Sequence, residues 1–187
     1  MGTVRTLILG TYLVSSAAMA DLSAGSYEIV LLDKQQAGTV VGTLNLKHRS
    51  ESFEYALHMH HEQFQDYFLS MKEMKCLEGP ELWCHLPYPY PQPRTITAED
   101  LSWLSHDLLF MFKKPEEFGA NFWNGIYYRM QISGDEISGQ AQAVDLNMLA
   151  SPPEVKDRPP IGEHERDEID RDKRWLPDLI IRPVETD

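Results

Sequence analysis

The run His58-Met59-His60-His61-Glu62 is the most chemically suggestive in the chain. On a strand, successive side chains alternate between faces, so His58 and His60 project together, about 7 Å apart along the chain. Neutral imidazoles at that spacing suit zinc or copper, and the thioether of Met59 favours copper(I). Met59 falls on the opposite face, however, where it extends the apolar stripe Phe53, Tyr55 and Leu57. A complete metal site therefore needs His48, His85 or a carboxylate from another strand. The alternative is a polar outer face ending in a turn.

The only two cysteines, Cys76 and Cys84, enclose a short loop with Gly79-Pro80 at its middle. In an exported protein an even count at short spacing reads as a disulfide. C-x-x-C spacing is missing, which argues for a structural bridge over a redox pair. His106-Asp107 lies in an expected helix, where adjacent residues point to different faces, so it makes a poor catalytic dyad. The chain has no G-x-S-x-G, H-E-x-x-H, P-loop or dinucleotide fingerprint. The expectation is a protein that is not an enzyme and carries no cofactor.

Two aromatic groups are candidates for binding. Tyr88 and Tyr90 stand in Leu86-Pro-Tyr-Pro-Tyr-Pro-Gln-Pro-Arg94, an extended polyproline-like connection that could offer ring edges to a protein partner. The same segment also reads as a rigid tether beside the cysteines. Trp123, Tyr128 and Phe110 belong to an aromatic-rich second half that either lines an apolar ligand cavity or fills the core.

The N-terminus supplies an address. Arg5, an apolar run through Leu13 and Val14, and Ala18-Met19-Ala20 have the order of a secretory signal cleaved before Asp21. The apolar run is far short of the roughly 20 residues that cross a bilayer. No later segment is apolar enough to insert. A formal charge of −12, one unit more acidic without Arg5, disfavours nucleic acid and anionic lipid as partners. None of Asn45, Asn121, Asn124 and Asn147 opens an N-x-S/T sequon. The expected address is the periplasm, with secretion as the alternative.

These candidates need a scaffold, and the dominant pattern from Ser26 onward is period-two alternation. Strands are expected at 27–32, 39–47, 53–60 and from about 64 or 67 towards 74, joined as an antiparallel meander. Thr97 as N-cap, then Leu101, Leu104, Leu108 and Met111 or Phe112 before Pro115, predicts one helix over about 97–114. Strands return at 123–132 and 137–146, with Gly139, Ala141 and Ala143 on one face, against an aromatic ring or a cavity. Residues 150–174 are proline-rich and then mixed in charge, which reads as a linker or exposed segment. Residues 175–187 are expected to dock as a last strand. The domain is thus 21–149 with two C-terminal additions.

The stretch from about 108 to 144 contains Phe122-Trp-Asn-Gly-Ile-Tyr-Tyr-Arg-Met130 and Ile137-Ser-Gly-Gln-Ala141. It resembles the C-terminal hairpin of small secreted bacterial lipocalin-like proteins, over about a fifth of the chain. The glycine-rich turn usual between their strands is missing, and the resemblance assigns no functional residue. It implies a barrel of the calycin type. The expected fold is mainly β: an antiparallel meander forming a curled sheet or lipocalin-like barrel with one inserted α-helix. The function expected is an exported, non-catalytic binding module for a small apolar ligand or a protein partner. The alternatives are an envelope structural or assembly factor and a periplasmic metal-binding protein using His58 and His60.

Overall fold

The computed structural model describes residues 22–69, 73–153, 155 and 157–184. The secretory signal expected at 1–20 lies outside the described residues. The chain is mainly β, and its strands form one twelve-stranded antiparallel sheet. The first strands are β1 (Gly25–Leu32), β2 (Gly38–Arg49), β3 (Ser52–Met59), β4 (Gln65–Phe68), β5 (Glu73–Glu78) and β6 (Leu82–His85). Then come β7 (Thr95–Ile96), the helix α1 (Ser102–Asp107), β8 (Phe110–Lys113), β9 (Gly125–Ser133), β10 (Glu136–Val144), β11 (Arg166–Glu168) and β12 (Asp178–Pro183). Their spatial order is β4-β5-β6-β8-β9-β10-β12-β1-β2-β3-β7, with β11 beside β10.

This order forces the sheet to curl. β3 and β4 are nine strand positions apart, about 43 Å in a flat sheet. Met59 and Gln65 are six residues apart, a reach of at most about 21 Å. The two ends must therefore approach each other, yet β4 and β7 do not pair, so the sheet stays open. The closed-barrel version of the expectation gives way to a curled open sheet.

The meander also differs from its expected form. It holds for β1-β2-β3 and then breaks, because a single 3-10 turn at His61–Gln63 with buried Phe64 carries the chain across to the other end. The one strand expected from 64 or 67 towards 74 is two strands, paired Gln65 to Cys76 and Phe68 to Glu73. The helix expected over 97–114 shrinks to Ser102–Asp107, and Phe110–Lys113 is a strand between β6 and β9. Leu108 to Met111 are all buried, so this run faces apolar neighbours on both sides and gains more from the sheet than from a helix with one wet face. Thr97 does accept N–H groups, from Glu99 and Asp100, but in a turn ahead of the helix.

One core fills the concave side. Trp83, Phe110 and Tyr128 are fully buried there, with ring centroids 6.2–6.3 Å apart. The small face of β10 is closely packed, with no cavity at Gly139: a Cβ there would stand 3.3 Å from both the Cβ of Tyr128 and Leu179 Cδ2. A second, smaller core lies on the outer side of β5, β6, β8, β9 and β10, around Met74, Leu109, Met111, Tyr127, Leu146 and Ile161. Ile161, 2% exposed, anchors the segment read as a linker, and β11 pairs with β10. Residues 150–174 are thus attached to the sheet at Ile161 and β11, while most of their described side chains stay exposed. β12 is inserted centrally between β10 and β1, its buried Leu179 and Ile181 joining the main core.

Glu81 fastens the C-terminal segment to the cysteine hairpin. Its carboxylate accepts from Trp83 Nε1 at 3.1 Å and Trp175 N at 2.9 Å, and pairs with Arg174. Arg174 in turn lies over the Phe112 ring at 3.9 Å. Cys76 and Cys84 face each other across β5 and β6 at disulfide distance, 2.05 Å. Such a pair is compatible with an oxidising, exported location.

Candidate functional site

An outer cleft of about 340 Å³ sits on the second core. Met74 and Leu146 are buried in it, Leu86, Phe122 and Leu149 are half-buried, and Pro87 and Pro89 stand exposed at the margin. Asn147 and Ala150 complete the lining, which contains no charged residue. The volume is at the lower end of the ~300–1,000 Å³ usual for small-molecule sites.

The proline connection forms one wall for a plain reason. Leu86 N donates to Leu109 O at 2.9 Å, and Tyr88 N donates to His106 O at 3.0 Å. Alternate residues are thereby pinned inward to α1 and to the residue that precedes β8. The intervening prolines have no N–H to satisfy and can face the cleft without leaving an orphaned donor. The opposite wall is the 3-10 turn Leu146–Leu149, which Asp145 caps by accepting from Asn147 N at 2.9 Å. Leu146 N donates to Phe122 O at 2.8 Å, and Tyr90 Oη donates to Leu149 O at 3.1 Å. The walls are therefore tied to one another and to the sheet.

Behind the proline wall His106 is fully buried among the rings of Tyr88, Trp103 and Tyr127, at 5.5–5.7 Å. Its Nδ1 donates to Ser102 O at 2.7 Å and its Nε2 accepts from Ile161 N at 3.2 Å. Both nitrogens are satisfied only in the neutral ring, and burial pulls the pKa down to about 4. His85 is likewise lowered to about 4 by burial, with its Nε2 2.8 Å from Asp107 O. The Asp107 carboxyl accepts from Tyr55 Oη at 2.9 Å, 3.9 Å from Arg94 Nε, and burial raises its pKa. His106 and Asp107 thus act in separate networks and form no dyad.

The other candidates scatter. His58 on the exposed face of β3 and His60 just past its end have ring centroids 5.9 Å apart, and His60 Nε2 is 2.9 Å from Thr43 Oγ1. Among the described residues no group of three or more His, Cys, Asp or Glu is placed to hold a metal ion. Two imidazoles are half of a tetrahedral donor set. Tyr88 is 7% exposed and stacked edge-on to Tyr90 at 5.5 Å, so both rings brace the cleft from behind instead of being displayed. Phe110 and Tyr128 meet in the main core, whereas Trp123 is 71% exposed, next in sequence to Phe122 of the cleft. Compared with known proteins, the chain matches no family model, no curated protein and no solved structure.

Among described residues, no helix is long and apolar enough to cross a membrane. The residues that form the cleft were not the aromatic trio suggested by composition. Met74, Leu86 and Leu146 look like ordinary core positions in sequence. The one local signal was the alternation of prolines with large side chains at 86–90, which separates an inward row from an outward one.

Proposed function

We propose that the chain is an exported, non-catalytic binding protein that takes a small, neutral, apolar ligand in the cleft between the proline connection and the 146–149 turn. The periplasm is the compartment that the signal-like N-terminus and the cysteine pair favour. The observation that carries the reading is the charge-free lining of this cleft in a chain of net charge −12. An interior filled by Trp83, Phe110 and Tyr128 supports the outer cleft over a lipocalin-like interior as the binding place.

Titration with the neutral fluorophore N-phenylnaphthylamine tests this. The protein is expected to give saturable, blue-shifted emission. Leu149→Asp puts a carboxylate against the apolar wall and weakens binding at least about tenfold, or ~1.4 kcal/mol. Leu149 is half-buried at the surface, so the fold tolerates the change. No saturable signal from the unaltered protein would favour the envelope structural or assembly factor, a role that the packed interior also suits.

A further inference from the structure

A second cleft, of about 360 Å³, has the opposite chemistry and lies on the outer face of β9, β10, β12 and β1. Cross-strand register places Arg129, Gln140, Asp178 and Leu32 in one row and Gln131, Ser138 and Ile180 in the next. Gln36, from the β1–β2 loop, and Arg171, from the turn before β12, reach over this surface from two sides.

Both overhanging groups are held in place. Asp178 accepts from Gln36 Nε2 at 3.4 Å and pairs with Arg171. Gln36 has φ +63°, a left-handed conformation that a side-chain-bearing residue adopts at a cost. The Asp33 side chain enforces it by accepting from Gln35 N and Ala37 N, both at 2.8 Å, while Gln36 N donates to Asp33 O at 3.0 Å. Glycine or asparagine suits such a position better. The glutamine is thus maintained against backbone preference, where its amide overhangs the cleft.

The charges in the cleft are not balanced. Arg171 is matched by Asp178, but Arg129 forms no ion pair among the described residues and has one long contact, 3.4 Å, to Gln140 Oε1. An unneutralised guanidinium in a chain of net charge −12 offers a planar, two-donor fork for a carboxylate. Around it, Gln36, Gln131, Gln140 and Ser138 present amide and hydroxyl groups that both donate and accept, matching an array of ligand hydroxyls. We infer that this cleft binds a small polyhydroxylated carboxylate, of the uronic-acid class, with Arg129 gripping the carboxylate and the amides reading the hydroxyls. It is separate from the apolar cleft and does not depend on that reading.

Isothermal titration with glucuronate, glucose and acetate tests the assignment. Glucuronate is expected to saturate, with glucose and acetate each at least tenfold weaker because each carries half of the recognised groups. Arg129→Gln should reduce glucuronate affinity at least tenfold, towards that of glucose. Gln36→Gly should weaken glucuronate several-fold while leaving Tm equal or raised, since glycine relieves the left-handed backbone. Absence of saturation by glucuronate, acetate binding as tightly as glucuronate, or unchanged affinity in Arg129→Gln would each overturn the inference. A Gln36→Gly protein with lower Tm and full affinity would remove Gln36 from the site.

Discussion

Replacing Glu81 by alanine is expected to lower the free energy of unfolding by about 3–5 kcal/mol, the range for breaking a buried ion pair from one side. Glu81 is 9% exposed and receives three donors, from Trp83, Arg174 and Trp175. Its loss strands a half-buried guanidinium and two N–H groups, each donor costing about 1–3 kcal/mol when unmatched. The damage should be local to the junction between the β5–β6 hairpin and the C-terminal segment. Glu81→Gln, which keeps an acceptor but not the charge, should lose less. Urea unfolding of the three proteins measures both. A loss below about 1 kcal/mol for the alanine variant would mean that this junction contributes little.

Acid is expected to weaken the fold well before the ordinary carboxylates titrate. His106 has a pKa near 4 when folded and near 6.5 as an unperturbed side chain, because burial among Tyr88, Trp103 and Tyr127 opposes the charge, joined by the Arg166 guanidinium. The Ser102 carbonyl pulls the other way. The unfolded chain therefore binds more protons between pH 4 and 6.5. Stability from this group is full above about pH 6.5 and falls as pH drops towards 4, by about 3 kcal/mol. His85, lowered to about 4 by burial as well, adds a loss of the same sign over the same range. Asp107 works in the opposite direction, its raised carboxyl pKa giving stability back as it protonates. Urea unfolding at pH 7 and pH 4.5 should show the fall, and His106→Gln, though less stable at pH 7, should show a shallower one. Equal slopes in the two proteins would contradict this account of His106.

Much of the sheet was legible because alternation is a local signal. Strands β2 and β3 carry one buried face that repeats every second residue over most of their length, and β1, β9 and β10 do so over part of theirs. Pairing order was not legible, since nothing at His61–Gln63 announces that the chain leaves β3 for the far end of the sheet. The helix was overextended for a related reason. Leu101, Leu104, Leu108 and Met111 satisfy a 3.6-residue period, but Phe110–Lys113 is covered on both faces, and a run buried all round has no period to read. Candidate-site residues were harder still. Tyr128 and Phe110 share their composition with cavity linings, and only the packed core at Trp83 shows that they fill space. Glu81 and Gln36 gave no sequence signal, because their roles come from contacts more than 90 residues away in the chain.

Methyl NMR with N-phenylnaphthylamine locates the apolar ligand on the fold. Saturable shifts are expected at the methyl groups of Met74, Leu86, Leu146 and Leu149, with those of Ile29, Leu44 and Ile137 in the main core unmoved. Shifts concentrated at the core methyls would put the ligand inside the curled sheet and contradict the outer-cleft assignment.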